Sequence, residues 1–213
     1  MRSILLSAFV AILFSSCANS QGADKIYLGS KQKPGTTEAI ATFSEGCFWH
    51  AEIIFQSLEG VRDAVSGYAG GTDTHPNYES VSTGETGHAE TVQVYYDPSK
   101  ISFETLVKAL FASMDPTELN RQGNDRGTEY RSIAFYRNEK EKDIIEAEIK
   151  RISDAKIYNS KIVTEVKPFV AFYPAEDYHQ EYIYYHPDNP YVRDVSIPEY
   201  QKFRSGFKGR FKP

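Results

Sequence analysis

The chain has little cysteine, no excess of positive charge and no apolar run long enough to cross a membrane. Only two of its 213 residues are cysteines, and its net charge at neutral pH is −5. A nucleic-acid-binding protein would carry a basic face, so no nucleic-acid partner is expected. The apolar run at residues 4–14 is too short for a membrane-spanning helix, which needs about 20 residues. Beyond the N-terminal leader one cysteine remains, which excludes an internal disulfide as a staple of the domain.

Metal-binding and nucleotide-binding signatures are also missing. The five histidines, at positions 50, 75, 88, 179 and 186, show no metal-ligand spacing with a second cysteine. The sequence contains neither a phosphate-binding P-loop nor a dinucleotide fingerprint. We therefore expect no metal and no cofactor. The composition, 40% hydrophobic and 25% charged, is typical of one globular domain with additional segments.

Residues 1–16 are typical of a signal peptide. Arg2 precedes the apolar run, and two serines then lead to Cys17. A cysteine at this place resembles a bacterial lipobox, in which Cys17 becomes the acylated first residue; plain secretion or a short anchor is the alternative. Residues 17–37 are polar and rich in glycine, which predicts a tether. We expect an exported bacterial protein, either periplasmic or held at a membrane by its lipid anchor.

Residues 38–186 carry the pattern of an α+β domain. Alternating or apolar segments predict strands at 39–43, 61–66, 90–96, 131–137 and 162–172, with amphipathic helices at 51–58, 103–111, 145–152 and 175–185. This order predicts a two-layer α/β sandwich with a ferredoxin-like core. Residues 187–213 are punctuated by proline, and we expect an irregular C-terminal tail.

Cys47 is the strongest candidate for a reactive group. It lies in the segment 46–52, Gly-Cys-Phe-Trp-His-Ala-Glu, where a helical pattern begins. The free N–H groups of a helix's first turn favour an anion, which predicts a thiol pKa below the usual value of about 8.5. The alternative is a small hydrophobic residue packed in the core. The adjacent aromatic pair, Phe48 and Trp49, could form a pocket for a small apolar group.

Four further segments are polar and adjoin the ends of predicted strands or helices. They are 66–71, Ser-Gly-Tyr-Ala-Gly-Gly; 86–90, Thr-Gly-His-Ala-Glu; 115–132, which begins Asp-Pro-Thr; and 172–180, Phe-Tyr-Pro-Ala-Glu-Asp-Tyr-His-Gln. Together with the Cys47 segment, and in the same order, they resemble the methionine sulfoxide reductase A family of peptide methionine (S)-S-oxide reductases. The resemblance covers about residues 38–186. It implies an enzyme that repairs oxidative damage by reducing methionine S-sulfoxide, free or in proteins, to methionine.

The resemblance implies roles for four catalytic residues. Cys47 would attack the sulfoxide sulfur, release methionine and become a sulfenic acid. Glu90 would be the acid at the sulfoxide oxygen, since a partly apolar pocket raises a carboxyl pKa and keeps the group protonated near neutral pH. Tyr78 and Tyr130 would help to polarise that oxygen. The structural alternatives are a solvated glutamate at a strand end and ordinary tyrosines.

The remaining implied roles concern substrate binding. Phe48 and Trp49 would hold the S-methyl group, and Asp125 would contact the substrate near its main chain. Their alternatives are a pair of core aromatics and an Asx turn. We expect His88 to orient its strand end rather than transfer protons, and His179 to shape the site.

The C-terminal segment departs from the family because it lacks the resolving cysteines that many relatives carry there. Our hypothesis is a one-cysteine cycle, in which a thioredoxin-like protein or a small thiol reduces the Cys47 sulfenic acid directly. Two other functions remain open. One is a cysteine hydrolase that pairs Cys47 with His88 or His179 and with Asp177 or Asp125. The other is a tethered binding lipoprotein in which Cys47 has no chemical role.

Overall fold

The structure is a computed structural model that describes residues 37–213. The signal peptide, the tether up to residue 36 and Cys17 lie outside the described residues, so the predictions for them stay predictions. Within the described range, no helix combines the length and hydropathy needed to traverse a bilayer.

Strands and helices alternate along the described chain. The strands are β1 (Ala39–Glu45), β2 (Val61–Ala69), β3 (Ala89–Tyr96), β4 (Arg121–Gln122), β5 (Asp125–Arg126), β6 (Ser132–Tyr136), β7 (Glu165–Pro168) and β8 (Phe172–Pro174). The helices are α1 (Phe48–Gln56), α2 (Tyr78–Val81), α3 (Phe103–Ser113), α4 (Glu139–Asp154), α5 (Tyr182–Tyr185) and α6 (Ile197–Gly206). Short 3-10 helices lie at Thr128–Tyr130 and Asp177–His179, and a π-helical stretch lies at Val192–Ser196.

Six strands form one sheet in the order β7-β6-β1-β3-β2-β8, and β4 pairs with β5 in a separate hairpin. Neighbours in the large sheet are antiparallel except for β6 and β7, which are parallel. The predicted mixed α/β fold is therefore confirmed. The strand region predicted at 162–172, with an interruption at Pro168, consists of two strands that lie at opposite edges of the sheet. Pro168 ends the first of them, as expected for a residue that cannot donate to a strand ladder.

The local sequence explains the central elements. Ser102 caps α3 by accepting a hydrogen bond from the Thr105 N–H, as predicted. Polar and apolar residues alternate in β3, which predicts a half-buried strand, but all eight of its residues are buried. Its polar face is satisfied internally, since Thr91 bonds to Ser44 Oγ at 2.7 Å and the Tyr95 hydroxyl bonds to the side chain of Gln93 at 2.8 Å. The alternation of polar and apolar residues in β3 therefore does not indicate a side that faces solvent.

The C-terminal segment is not the irregular tail that proline suggested. It contains the π-helical stretch and α6, and Phe203 is buried in the main core at 3% exposure. Pro198 lies in the first turn of α6, where its missing N–H costs no helical hydrogen bond. The chain end is tied to the helix α1 region by the Lys212 N–H, which donates to the Ser57 carbonyl at 2.8 Å. The folded domain therefore extends past residue 186.

Candidate active site

One cavity of about 180 Å³ brings together all seven residues for which the sequence predicted catalysis or substrate binding. It is lined by Cys47, Phe48, Trp49, Tyr78, Glu90, Asp125, Tyr130 and Tyr191. This volume is below the roughly 300–1,000 Å³ typical of ligand pockets, which suits one side chain rather than a large ligand. The cavity therefore has both the composition and the size for a methionine sulfoxide side chain.

Cys47 lies where β1 turns into α1, at the N-cap position of the helix. The turn requires Gly46, whose φ is +97°, in the left-handed region that favours glycine. A Cβ at Gly46 would also lie only 2.6 Å from Cβ of Gln122 in the β4–β5 hairpin. The thiol makes no capping hydrogen bond, but the backbone N–H groups of Trp49 and His50 lie near it and favour its anion. Gly46 thus allows the chain to turn from β1 into α1, which places the Cys47 sulfur at the first turn of the helix.

The predicted lowering of the Cys47 pKa is wrong. Although the residue is only partly buried, the protein packed around the thiol raises its pKa well above the ordinary value, and the charge of Glu90 raises it further. The N–H groups of the helix's first turn lower the pKa, as expected, but they do not compensate for desolvation. The thiol is therefore protonated at neutral pH while the cavity is empty.

Glu90 reaches the cavity from the start of β3 and is 3% exposed. Its Oε2 accepts a hydrogen bond from the Phe48 N–H at 2.9 Å. Burial raises the pKa of Glu90 to about 8, against the lowering effect of that hydrogen bond. The direction of this shift agrees with the predicted carboxyl group that stays protonated near neutral pH. Glu90 can therefore donate a proton to an oxygen bound in the cavity.

The two predicted tyrosines approach from different elements. Tyr78 is the first residue of α2, and Tyr130 ends a 3-10 helix. Burial raises the pKa of both hydroxyls, and the neighbouring Glu90 raises them further, so both remain O–H donors. Glu176 fixes the start of α2, because its Oε1 accepts from the Tyr78 N–H at 3.0 Å and its Oε2 from the Tyr68 hydroxyl at 2.8 Å.

Phe48 and Trp49 form the aromatic wall of the cavity. Phe48 is 1% exposed and belongs to the main core, so its core and cavity roles coexist. The Trp49 indole N–H donates to Nδ1 of His179 at 3.1 Å. The ring of Trp49 stacks on that of Tyr182, with ring centroids 3.7 Å apart and an interplanar angle of 6°. The indole is therefore fixed both at its edge and on one face.

Tyr191 is a lining residue that the sequence analysis missed. Its hydroxyl donates to Oδ2 of Asp125 at 2.5 Å and also lies within hydrogen-bonding reach of the Cys47 thiol. Burial raises the pKa of Tyr191, so the hydroxyl keeps its proton. The Asn189 side chain accepts from the Tyr191 N–H at 2.9 Å, an Asx turn that sets the tyrosine in place. The Asn-Pro-Tyr sequence was the available indication of such a turn.

The histidines do not form a hydrolase arrangement. Nδ1 of His88 accepts from the Gly71 N–H at 3.2 Å, and its Nε2 pairs with the Asp73 carbonyl at 2.8 Å. His88 therefore orients a loop at the strand end, as predicted. His179 is engaged by Trp49, and burial lowers its pKa to about 4. No histidine of residues 37–213 lines the cavity, and no cluster in that range is placed to hold a metal ion.

Comparisons with known proteins agree with this site. A family model described as peptide methionine sulfoxide reductase matches residues 39–210. The peptide methionine sulfoxide reductase MsrA of Polynucleobacter asymbioticus is 44% identical over 173 residues, which cover 81% of this chain and 91% of that protein. The MsrA of Nautilia profundicola is 48% identical over 163 residues, covering 76% and 92%.

Solved structures give the same result. Methionine sulfoxide reductase A of Corynebacterium diphtheriae superposes with a TM-score of 0.65 at 33% identity, covering 72% of this chain and 77% of that one. Mxr1 from Saccharomyces cerevisiae in reduced form superposes with a TM-score of 0.69 at 32% identity, covering 74% and 91%. The family match runs to residue 210 and so includes α6, in agreement with the packing of the C-terminal segment on the core.

Proposed function

The chain belongs to the peptide methionine sulfoxide reductase family, and from this premise we propose how its cavity reduces methionine sulfoxide to methionine. The observation that carries the proposal is the convergence of a thiol, a protonated carboxyl group, tyrosine hydroxyls and an aromatic wall in one cavity of about 180 Å³. The substrates are the S epimer of methionine sulfoxide, both in proteins and as the free amino acid.

The substrate side chain is oriented by two opposite walls. Its S-methyl group lies against Phe48 and Trp49, which offer apolar surface. Its oxygen lies toward the carboxyl group of Glu90 and the hydroxyl groups of Tyr78 and Tyr130. Three donors around one oxygen stabilise the charge that develops there as the sulfur is attacked. This arrangement is supported by the raised pKa values of all three groups, which keep their protons on them.

Asp125 binds the main chain of the substrate, and Tyr191 positions it. Support comes from the short hydrogen bond between the Tyr191 hydroxyl and Asp125 Oδ2. A carboxyl group that is held at one oxygen keeps its other oxygen for a backbone N–H of the substrate. Tyr191 therefore acts through Asp125 as a positioning residue, as well as lining the cavity beside the thiol.

The reaction transfers one oxygen atom. Glu90 gives a proton to the sulfoxide oxygen as the Cys47 sulfur attacks the sulfoxide sulfur, and the thiol proton replaces the one that Glu90 has lost. The attack forms a bond between the two sulfurs. That bond and the sulfur–oxygen bond of the substrate then break as the protonated oxygen passes to the Cys47 sulfur, which gives the Cys47 sulfenic acid and releases methionine as the thioether. The substrate is reduced and the thiol is oxidised, so no other oxidant or reductant enters this half of the cycle.

An external thiol completes the cycle. Cys47 is the only cysteine among residues 37–213, so no disulfide can form within the described chain. A thiol attacks the sulfenic acid, giving a mixed disulfide and water, and a second thiol then releases Cys47 and leaves as a disulfide. A thioredoxin-like dithiol protein supplies both thiols, and a small thiol can substitute for it.

We also propose an exported location and a ferredoxin-like core. The charged start, apolar run and small-residue site of residues 1–16 support export, with Cys17 as the lipid attachment site of a periplasmic or membrane-anchored lipoprotein. The partial strand order β6-β1-β3-β2, antiparallel throughout and connected through α1 and α3, supports the ferredoxin-like core.

The test is turnover of each epimer of methionine sulfoxide by the wild-type protein and by Cys47→Ser, with dithiothreitol as the reductant. We expect reduction of the S epimer only, and none by Cys47→Ser. Mass spectrometry of the wild-type protein after one equivalent of substrate, without reductant, should show one added oxygen on Cys47. Turnover by Cys47→Ser at the wild-type rate would refute the proposal.

A further inference from the structure

A second cavity adjoins the catalytic one, and the proposed reaction does not use it. It has a volume of about 430 Å³, within the range typical of ligand-binding pockets. Its walls are α1, the α5 region and the beginning of α6. We call it the lateral groove and define it by Trp49, Ile53, Tyr182, Tyr184, Ile197 and Tyr200. Trp49 lines both the lateral groove and the catalytic cavity, so the two adjoin at that residue.

We propose that the lateral groove binds an apolar side chain of the peptide substrate, one or two residues from the methionine sulfoxide. The proposal rests on the proposed function, since it needs the sulfoxide to lie in the catalytic cavity. When the methionine sulfoxide of a peptide lies in the catalytic cavity, the adjacent residues of the peptide must continue either along Trp49 or away from it. The lateral groove is the adjoining surface with the volume to receive one of them.

The chemistry of the walls selects an apolar occupant. Ile53, Ile197 and Tyr200 line the lateral groove, no lysine, arginine or histidine lines it, and its two acidic residues are Glu52 and Glu181. The carboxyl group of Glu52, on the same wall, is already engaged: Oε2 accepts from Ser66 Oγ at 2.6 Å and Oε1 from the Glu181 N–H at 2.8 Å. An acidic side chain would find no cation there, whereas an aliphatic or aromatic one would remove apolar surface from water.

Trp49 is the residue at which a bound peptide could pass from one cavity to the other, because it lines both. On the groove side its ring stacks on that of Tyr182, with centroids 3.7 Å apart. An extended peptide spans about 3.3–3.6 Å per residue, so a side chain one or two residues from the sulfoxide lies within about 7 Å along the chain. Trp49, Ile53 and Gln56 then follow one another on a single face of α1, at the spacing of successive helical turns. The path therefore continues along the helix that carries the nucleophile.

Tyr184 extends the apolar surface to the rim of the groove. It is 69% exposed, one of the most exposed aromatic side chains in the described chain. Tyrosine is one of the residue types enriched in protein interfaces. We therefore expect Tyr184 to contact the occupant from the solvent side.

The experiment uses the full chain with dithiothreitol, so that no protein reductant is needed. Three substrates are compared: N-acetyl methionine sulfoxide, a methionine sulfoxide peptide with glycine on both sides, and the same peptide with leucine next to the sulfoxide. The groove variants are Ile53→Gln, which keeps a good helix former, and Tyr184→Ala. The matched control is Ile157→Gln, which changes an apolar residue that is 55% exposed and does not line the groove.

We expect the wild-type protein to show a kcat/KM about tenfold higher for the leucine peptide than for the glycine peptide, which corresponds to about 1.4 kcal/mol. Ile53→Gln should lose most of this preference, and Tyr184→Ala part of it. Neither variant should change turnover of N-acetyl methionine sulfoxide. Ile157→Gln should retain the full preference.

Two results would overturn the proposal. One is equal kcat/KM for the two peptides, or a preference that survives in both groove variants. The other is a variant that is normal with dithiothreitol but slow with a thioredoxin-like protein, because the groove would then bind the reductant. Failure of the wild-type protein to reduce N-acetyl methionine sulfoxide would instead contradict the proposed function itself.

Discussion

Replacement of Glu90 by glutamine tests two effects of its buried proton, one on catalysis and one on the pH dependence of the free energy of unfolding. Glu90 is 3% exposed, and burial raises its pKa to about 8. Glutamine has nearly the same shape and can still accept the Phe48 N–H hydrogen bond, but it has no acidic proton. We expect Glu90→Gln to lose about 10²- to 10⁴-fold in kcat, the usual contribution of a general acid. We also expect it to change how the free energy of unfolding depends on pH.

The magnitude follows from the difference between the folded and unfolded pKa values. The folded pKa of about 8 lies above the reference value of 4.5, so folding favours the protonated form. This contribution to stability is fully present below pH 4.5 and is lost as the pH rises toward 8. At about 1.36 kcal/mol per pH unit, the loss over that interval is about 5 kcal/mol. Glu90→Gln removes it, so the variant should become steadily more stable relative to the wild-type protein as the pH rises.

The assay is urea unfolding of both proteins at half-unit steps from pH 5 to pH 8.5, with kcat measured in parallel. Glu45→Gln is the matched control, because burial also raises the pKa of Glu45 to about 8 while its side chain lies outside the catalytic cavity. Glu45→Gln should show the same relative gain in stability but keep wild-type kcat. Parallel stability curves for Glu90→Gln and the wild-type protein would refute the reasoning, since Glu90 would then be ionised in the folded state.

Three further experiments test other parts of the structure. Because burial raises the Cys47 pKa, iodoacetamide should label the empty enzyme more slowly than a free thiol, at a rate that still increases above pH 9; a plateau below pH 7 would show a stable thiolate. Tyr191→Phe should raise KM about tenfold with a smaller effect on kcat, since it removes the hydrogen bond that holds Asp125; steady-state kinetics that show unchanged KM would contradict this. Phe203→Ala should lower the free energy of unfolding by about 3–5 kcal/mol in urea titrations, whereas a loose tail would give almost no change.

The sequence predicted those features of the fold and the site that depend on short segments of the chain. The strand, glycine turn and helix around Cys47 are encoded within a dozen residues, so the position of the nucleophile followed from pattern and glycine chemistry. The raised pKa of Glu90 was implied by the resemblance to the family, whereas its position alone indicated a solvated glutamate at a strand end. The seven predicted site residues meet in one cavity because their segments end at the same edge of the sheet and at the helix ends above it.

What the sequence did not predict depends on contacts between distant segments. The π-helical stretch and α6 return from the end of the chain to cover the core, and Tyr191 enters the cavity with them. The proline content indicated an irregular tail. Pro198 in fact lies at the start of α6, a helix whose sequence has no strong apolar repeat. The Cys47 pKa was predicted in the wrong direction for a related reason. The helix N-terminus is visible in sequence, but the enclosure of the thiol by residues as distant as Glu90 and Tyr191 is not.

The raised pKa of Cys47 has a chemical consequence for a one-cysteine enzyme. The thiolate is the form that oxidants attack, and oxidation beyond the sulfenic acid is generally irreversible. No second cysteine among residues 37–213 could trap the sulfenic acid as an internal disulfide. A raised thiol pKa therefore lowers the fraction of thiolate that oxidants can attack. In the proposed reaction, the sulfoxide takes the proton of Glu90, and the carboxylate that remains is the base that removes the thiol proton. In this arrangement the substrate itself activates the nucleophile, so the enzyme does not need to keep a thiolate exposed between turnovers.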